Sequence, residues 1–254
     1  YFPRWNKLKI KENIHIAEDG KIIWKDGEYF NNHIEMSGFL VSSIISYAVD
    51  KKGHLKLSRH VAFPTLRFEP NKTRSNIKYN FGRKEDFHLK VNGHKVSEKP
   101  YEIIFDGRLI IKSKADNLVI IREISPLKDK MGICEKVSIE GSGYEIDFNA
   151  FKHKSKLDSK YTIEKRIIQN DANEFYQLFL GYEKDFDITK NELIKREKFI
   201  QSIKELITLD TPDNHLNEAF NIAKLRVCES IFKTKKGLMH SPGGGSYYAA
   251  MWAN

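Results

Sequence analysis

The chain has 254 residues, 40% hydrophobic and 30% charged, and its 43 Lys+Arg against 34 Asp+Glu give a formal charge of +9. That length allows one large or two smaller cores, and no apolar run reaches the length of a membrane span or forms a signal-peptide core. The lysines are scattered, without the dense arginine stripe or basic helix of a nucleic-acid footprint, so the charge reads as a solvated surface and nucleic acid is not expected as a partner.

The first ~180 residues read as short alternating runs separated by turn dipeptides, the pattern of antiparallel β-structure. Lys21–Lys25, Asp26-Gly27 and Glu28–Phe30 predict a hairpin, because Asp-Gly favours the turns that match strand twist. The same device recurs at Asn92-Gly93, between His88–Val91 and His94–Val96, and at Asp106-Gly107, between Tyr101–Phe105 and Arg108–Ile111. A longer loop, Asp50–Gly53, separates Leu40–Val49 from His54–Phe63, where Leu55, Leu57, Val61 and Phe63 hold period two. Further strands are predicted over Leu118–Glu123, Lys136–Glu140, Tyr161–Ile168 and Glu174–Leu180. So many strands at this spacing predict a mainly β fold, a large antiparallel β-sandwich.

Near Asp187 the period changes. Thr189 and Glu192 predict a capping box, and Leu193, Ile200, Ile203 and Ile207 repeat at helical spacing. A second start follows, with Thr211 as cap and Pro212 in the first turn. Leu216, Phe220, Ala223, Val227 and Ile231 make an apolar stripe along that helix, and Lys233, Lys235, Lys236 and Gly237 predict its end. Residues 1–187 are therefore expected to form a β-sandwich domain, 188–210 a linker helix, and 211–254 the start of another domain. One helix and a glycine loop bury too little apolar surface to stand alone.

The last stretch differs from everything upstream. Pro242-Gly243-Gly244-Gly245 turns into Ser246-Tyr247-Tyr248-Ala249-Ala250-Met251-Trp252-Ala253-Asn254. Glycines open backbone conformations closed to other residues, and clustered flat rings suit the C–H face of a pyranose. The segment reads as cut through a functional region, since a natural terminus is more often polar and frayed. Together with Thr211-Pro212-Asp213 and the helix from Leu216 to Phe232, the run Gly237-Leu238-Met239-His240-Ser241-Pro242 through Asn254 resembles the opening of the catalytic domain of six-hairpin glycosidases. His33-Ile34-Glu35-Met36-Ser37-Gly38 and Arg59-His60-Val61-Ala62-Phe63-Pro64-Thr65-Leu66-Arg67 are similar to the β-domain of members of that group.

The resemblance implies a supersandwich-like N-terminal β-domain, a linker helix and the first helix of an α/α toroid. It also implies glycosidic hydrolysis by two carboxyl groups, one protonating the leaving oxygen and one activating water or attacking the sugar. In several such families an aspartate general acid directly follows the Trp-x-Asn stretch, so no catalytic residue is expected within this chain. Its expected partners are a carbohydrate substrate and the rest of its own catalytic domain, with no cofactor. Such a role suits a periplasmic or secreted protein.

Trp252, Tyr247 and Tyr248 are candidates to line a sugar subsite, against core packing at the start of an inner helix. Asn254 is a candidate for a sugar hydroxyl or for orienting a neighbouring aspartate, and His240 for donating to a hydroxyl or for packing. His33 and Glu35 sit two apart, hence on one face of a strand. No third ligand lies nearby, so a hydrogen-bonded pair at a domain interface is expected rather than a metal site. Cys134 and Cys228 support no disulfide framework. Two rival functions remain: a non-catalytic carbohydrate-binding module, and a basic protein that binds acidic polysaccharide.

Overall fold

The structure is a computed structural model that describes residues 14–17, 20–25, 30–67 and 76–241. The fold is mainly β. Strands β1 (Ile14–Ile16), β2 (Ile22–Lys25), β3 (Phe30–Gly38), β4 (Val41–Val49) and β5 (Leu55–Phe63) lead to a single 3-10 turn, Pro64–Leu66. Next come β6 (Ile77–Phe81), β7 (His88–Val91), β8 (His94–Lys95), β9 (Lys99–Phe105), β10 (Leu109–Ala115) and β11 (Leu118–Pro126). Then follow β12 (Gly132–Glu140), β13 (Tyr144–Asp147), β14 (Phe151–Lys154), β15 (Thr162–Gln169) and β16 (Glu174–Tyr182). Two helices, α1 (Lys190–Leu206) and α2 (Asn214–Glu229), and a terminal hairpin, β17 (Ile231–Thr234) and β18 (Gly237–His240), complete the order.

A nine-stranded antiparallel sheet, ordered β1-β2-β9-β10-β11-β12-β16-β15-β14, forms one layer. The facing layer is split between a four-stranded sheet, β3-β4-β5-β6, and a three-stranded sheet, β13-β7-β8. Each half covers its own apolar cluster. Met36, Ile45, Val61, Phe63 and Phe81 pack with Leu109, Ile111, Ile124, Ile133 and Phe179 under the larger sheet. Phe87, Leu89 and Val91 pack with Leu118, Ile120, Val137, Ile139 and Phe175 under the smaller one.

Between the clusters runs a polar row. Strand by strand, the inner face reads Ile111-x-Ser113-x-Ala115, Ile120-x-Arg122-x-Ile124, Ile133-x-Glu135-x-Val137, Phe175-x-Gln177-x-Phe179 and Ile163-x-Lys165-x-Ile167. Ser113, Arg122, Glu135, Gln177 and Lys165 are all buried there.

Several turns match the sequence reading. Asn92 (φ 51°) and Gly93 (φ 76°) form the two-residue turn between β7 and β8, both in the left-handed region a primed turn requires. Asp106, Gly107 and Arg108 form a longer turn, because Phe105 pairs directly with Leu109 and the Asp106 carboxylate takes the Arg108 N–H and guanidinium. At Asp50 the carboxylate accepts the N–H groups of Lys52 and His54 and stands beside Lys56, holding its pKa down to about 2.

The expected hairpin around Asp26-Gly27 is not formed. β2 pairs with β1 and β9 in the large sheet, whereas β3 pairs with β4 in the opposite layer, so the chain changes layer there. Asp26 and Gly27 themselves lie outside the described residues. The capping box is also absent. Thr189 occupies the N-cap without a side-chain hydrogen bond, while the Glu192 carboxylate goes to Lys195 at 2.8 Å. α2 is capped by Asp213, which accepts from His215 N–H and Leu216 N–H. Thr211, the expected cap, instead bonds the Asn217 side chain. α2 ends at Glu229, and the lysine-rich stretch beyond it forms the β17–β18 turn, closed by Gly237 at φ +101°.

Candidate functional site

Three regions could carry chemistry: the polar row, the junction of the helices with the sandwich, and a groove beside the β17–β18 hairpin. The polar row is closed upon itself. Arg59 reaches across from β5, donating from Nε to Glu135 Oε2 at 2.7 Å and from Nη2 to Asp86 Oδ2 at 3.2 Å. Arg122 donates to Asp86, Glu135 and Glu98. These guanidinium groups hold the Asp86 carboxyl well below the usual carboxylate range, and although burial works to lower the Arg122 pKa, the charges of Asp86, Glu98 and Glu135 raise it. A cavity of about 190 Å³ reaches Asp86, Glu98 and Arg122 from the surface past His54, Lys56 and His88. Its floor offers no free acid or base, since both Glu98 oxygens and both Asp86 oxygens are taken by arginine.

At the junction, Arg196 of α1 donates to the carbonyls of Gly107 and Ser37 and to the Glu229 carboxylate of α2. Arg226 completes the cluster by donating to Glu229 and to the Glu35 carbonyl. Ile200, Ile203 and Leu225 form a small apolar cluster between the helices. It closes on Gly107 so tightly that a Cβ there would lie 2.8 Å from Ile200 Cδ1. Lys128 projects between the rings of Phe39 and Phe199, 3.7 and 3.3 Å from their centroids, and burial lowers its pKa to about 8. The buried carboxylates among the described residues, Asp86, Glu135 and Glu229, thus each sit against an arginine.

The third region is open. A groove of about 560 Å³ lies where β6, the edge of the four-stranded sheet, comes beside β14, the edge of the nine-stranded sheet. Tyr79 of β6 supplies an aromatic wall, its ring 4.7 Å from Phe151 and 5.2 Å from His153 on β14. Its hydroxyl is 3.4 Å from Glu85 Oε1. His60, Asn76, Lys78 and Asn80 add hydrogen-bonding groups from β5, β6 and the residue before β6. Flat rings beside amides and imidazoles are the lining that holds a polyhydroxylated ring: an apolar face to stack on and donors and acceptors around it. His60 is half-buried, and burial together with the Lys78 charge lowers its pKa.

This groove adjoins the start of the glycine-rich segment. Buried Arg67 donates from Nε to Asn76 Oδ1 at 3.2 Å and from Nη1 to Ser241 Oγ at 3.4 Å. Ser241 N–H is held by Ser230 O at 2.7 Å, and Lys233 N–H by Phe39 O at 2.7 Å. The hairpin is thereby fastened to the sandwich beside the Pro64–Leu66 turn, with Ser241 and Asn76 both held by Arg67.

Of the candidates drawn from sequence, Trp252, Asn254, Tyr247 and Tyr248 lie outside the described residues. His240 is exposed on β18, paired with Ile231. His33 and Glu35 share a face of β3, but the Glu35 carboxylate accepts from Ser42 Oγ at 2.6 Å while His33 is exposed. Glu35 does stand at the helix junction, through its carbonyl. Among the described residues no group of three or more His, Cys, Asp or Glu could hold a metal ion, and no helix is long and apolar enough to cross a membrane. Both cysteines are free, and burial pushes the Cys134 thiol up.

The sequence reading missed the groove because its parts are remote: His60, Tyr79 and His153 lie on three strands, each with an ordinary local pattern. No protein-family model matches the chain, and no curated protein matches it.

Proposed function

We propose that this chain is the N-terminal part of a glycoside hydrolase: a β-sandwich, a linker helix and the first helix of an α/α toroid, with the groove beside β6 and β14 contacting the glycan. The observation that carries the reading is the Arg67 contact pair. It joins Asn76, on the groove, to Ser241, from which the glycine and aromatic segment sets out. Trp252, Tyr247, Tyr248 and Asn254 remain candidates for sugar contact on the sequence resemblance alone, and the acid and base carboxylates belong to the toroid.

A second observation supports the same reading. Leu216 and Val227 on α2 are 51% and 62% exposed, and Ala223 between them is exposed as well. The apolar stripe read from sequence is therefore turned away from the sandwich, as expected of a helix with a further helical layer to meet. α2 uses its other side, Leu225 and Glu229, against α1 and the sandwich.

The test compares this 254-residue chain with a product extended through the codons that follow Asn254, both assayed for reducing-sugar release on a glycan panel. The extended protein is expected to hydrolyse a glycan that the shorter one binds without turnover. Turnover by the shorter chain, or a gene that ends at Asn254, overturns the proposal. The groove also fits a non-catalytic binding module, for which binding persists and neither protein hydrolyses anything.

A further inference from the structure

The groove's charge is one-sided. Lys78 and Lys156 stand on it with His60 and His153, and none of the described residues lining it is a carboxylate. Among the described residues neither Lys78 nor Lys156 has an acidic partner, whereas Lys56, Lys90, Lys112, Lys136 and Lys195 elsewhere on the surface each pair with Asp or Glu. Glu85 meets the far end of the Tyr79 ring and also accepts the Gly82 N–H at 2.8 Å, and neither it nor Asp158, which follows Leu157, lines the groove. Lys154 on the neighbouring strand face bonds Thr162 Oγ1, and Lys152 lies near Glu164 at 3.8 Å, so neither lends an acid to the groove. An uncharged sugar would leave these cations balanced by solvent alone. A ligand that brings its own anions meets them directly, and a cleft lined by one sign of charge concentrates the opposite sign.

We propose that the groove takes an anionic saccharide, one carrying carboxylate or sulfate groups, with the ring against Tyr79 and the anion between Lys78, Lys156 and the two histidines. The inference rests on the reading of the groove as a glycan site and adds the substrate class. Because Lys78 and Lys156 are exposed, removing their ammonium groups leaves the core untouched.

The experiment is calorimetric titration of the full 254-residue chain with oligogalacturonate, a chondroitin sulfate oligosaccharide and a neutral cello-oligosaccharide, at low and high salt. One double variant is Lys78→Ala with Lys156→Ala; the control is Lys51→Ala with Lys52→Ala, in the exposed β4–β5 turn. At least one anionic oligosaccharide is expected to bind more tightly than the neutral one and to weaken with salt. The groove variant is expected to lose about tenfold in affinity, as two ion pairs would, and the control to keep it. Whichever anion binds identifies the acidic group. Equal binding of the neutral sugar overturns the substrate class and leaves the glycan reading standing. Equal losses in the groove and control variants overturn the site, because net charge alone would then account for binding. No binding of any saccharide overturns both.

Discussion

Arg59 and Glu135 meet across the two layers of the sandwich, Nε to Oε2 at 2.7 Å, with both side chains fully buried. An ion pair in that position contributes little net stability while complete, because desolvation offsets attraction. Its loss is another matter. Glu135→Gln or Arg59→Met leaves an uncompensated charge in the interior and is expected to cost about 3–5 kcal/mol. The double variant, Arg59→Met with Glu135→Gln, should cost clearly less than the sum. Urea unfolding of the four proteins measures it, and additive losses would show that the pair is not coupled.

Lys165 lies in the same row, buried, with no hydrogen-bond partner for its ammonium group, and burial brings its pKa down to about 8. The sign follows from linkage. Between pH 8 and the ordinary lysine range the unfolded chain binds the proton that the folded chain has released, so stability rises with pH across that window. Lys128, also near 8, acts in the same direction. Buried Cys134, whose thiol is pushed up, acts oppositely as the unfolded thiol ionises, so the lysine effect is read as a difference. From about pH 8 to 10 the parent is expected to gain stability relative to Lys165→Met, which is the more stable of the two at pH 7. A difference in melting temperature that stays constant over that range contradicts the assignment.

Acid acts through Asp86. Its folded pKa is depressed by Arg122 and Arg59, so its contribution is complete above the unfolded carboxylate value near pH 4 and disappears as pH falls through the lower folded value. Asp86→Asn is expected to be less stable than the parent at pH 7 and to lose less on acidification below pH 4. Circular dichroism against pH decides between them. Parallel acid profiles would remove Asp86 from the explanation.

Gly107 holds φ +93° directly beneath Ile200 and Leu225. Gly107→Ala adds both a left-handed strain and a contact of 2.8 Å, and is expected to cost about 1–3 kcal/mol. Arg196→Ala removes the donors to Gly107 O and Ser37 O and leaves Glu229 with Arg226 alone. Both changes should loosen α1 and α2 from the sandwich. Amide exchange in residues 190–229 is expected to speed up while β10–β12 keep their protection. Uniform loss of protection would instead mean that helices and sandwich unfold together.

Much of the fold was legible because its signals are local. Asn92-Gly93 and Asp106-Gly107 announce their turns, and the alternation in His54–Phe63 gives β5. Layer assignment was not legible: nothing in Asp26-Gly27 says that the strands around it join different sheets. Helix α2 misled for a related reason, since its most regular apolar stripe is not the side it packs with. At the candidate site, the glycine and aromatic segment stood out by composition, but Tyr79, His60 and His153 did not. Their convergence depends on two sheet edges meeting, which is a property of the tertiary fold.

The polar row has a consequence for how the sheet finds its pairing. Inward and outward alternation penalises a slip of one residue, because every side chain would change face. A slip of two passes that check, since each residue keeps its face. Here Arg122 lies opposite Ile111 and Val137 and reaches Glu135 on the diagonal, so a slip of two between β11 and β12 shifts Arg122 and Glu135 relative to one another and parts one of them from Asp86 and Arg59. One polar residue at the centre of each of five neighbouring strands therefore distinguishes the true register from its even-numbered neighbours, a distinction a wholly apolar interior would leave to side-chain shape alone.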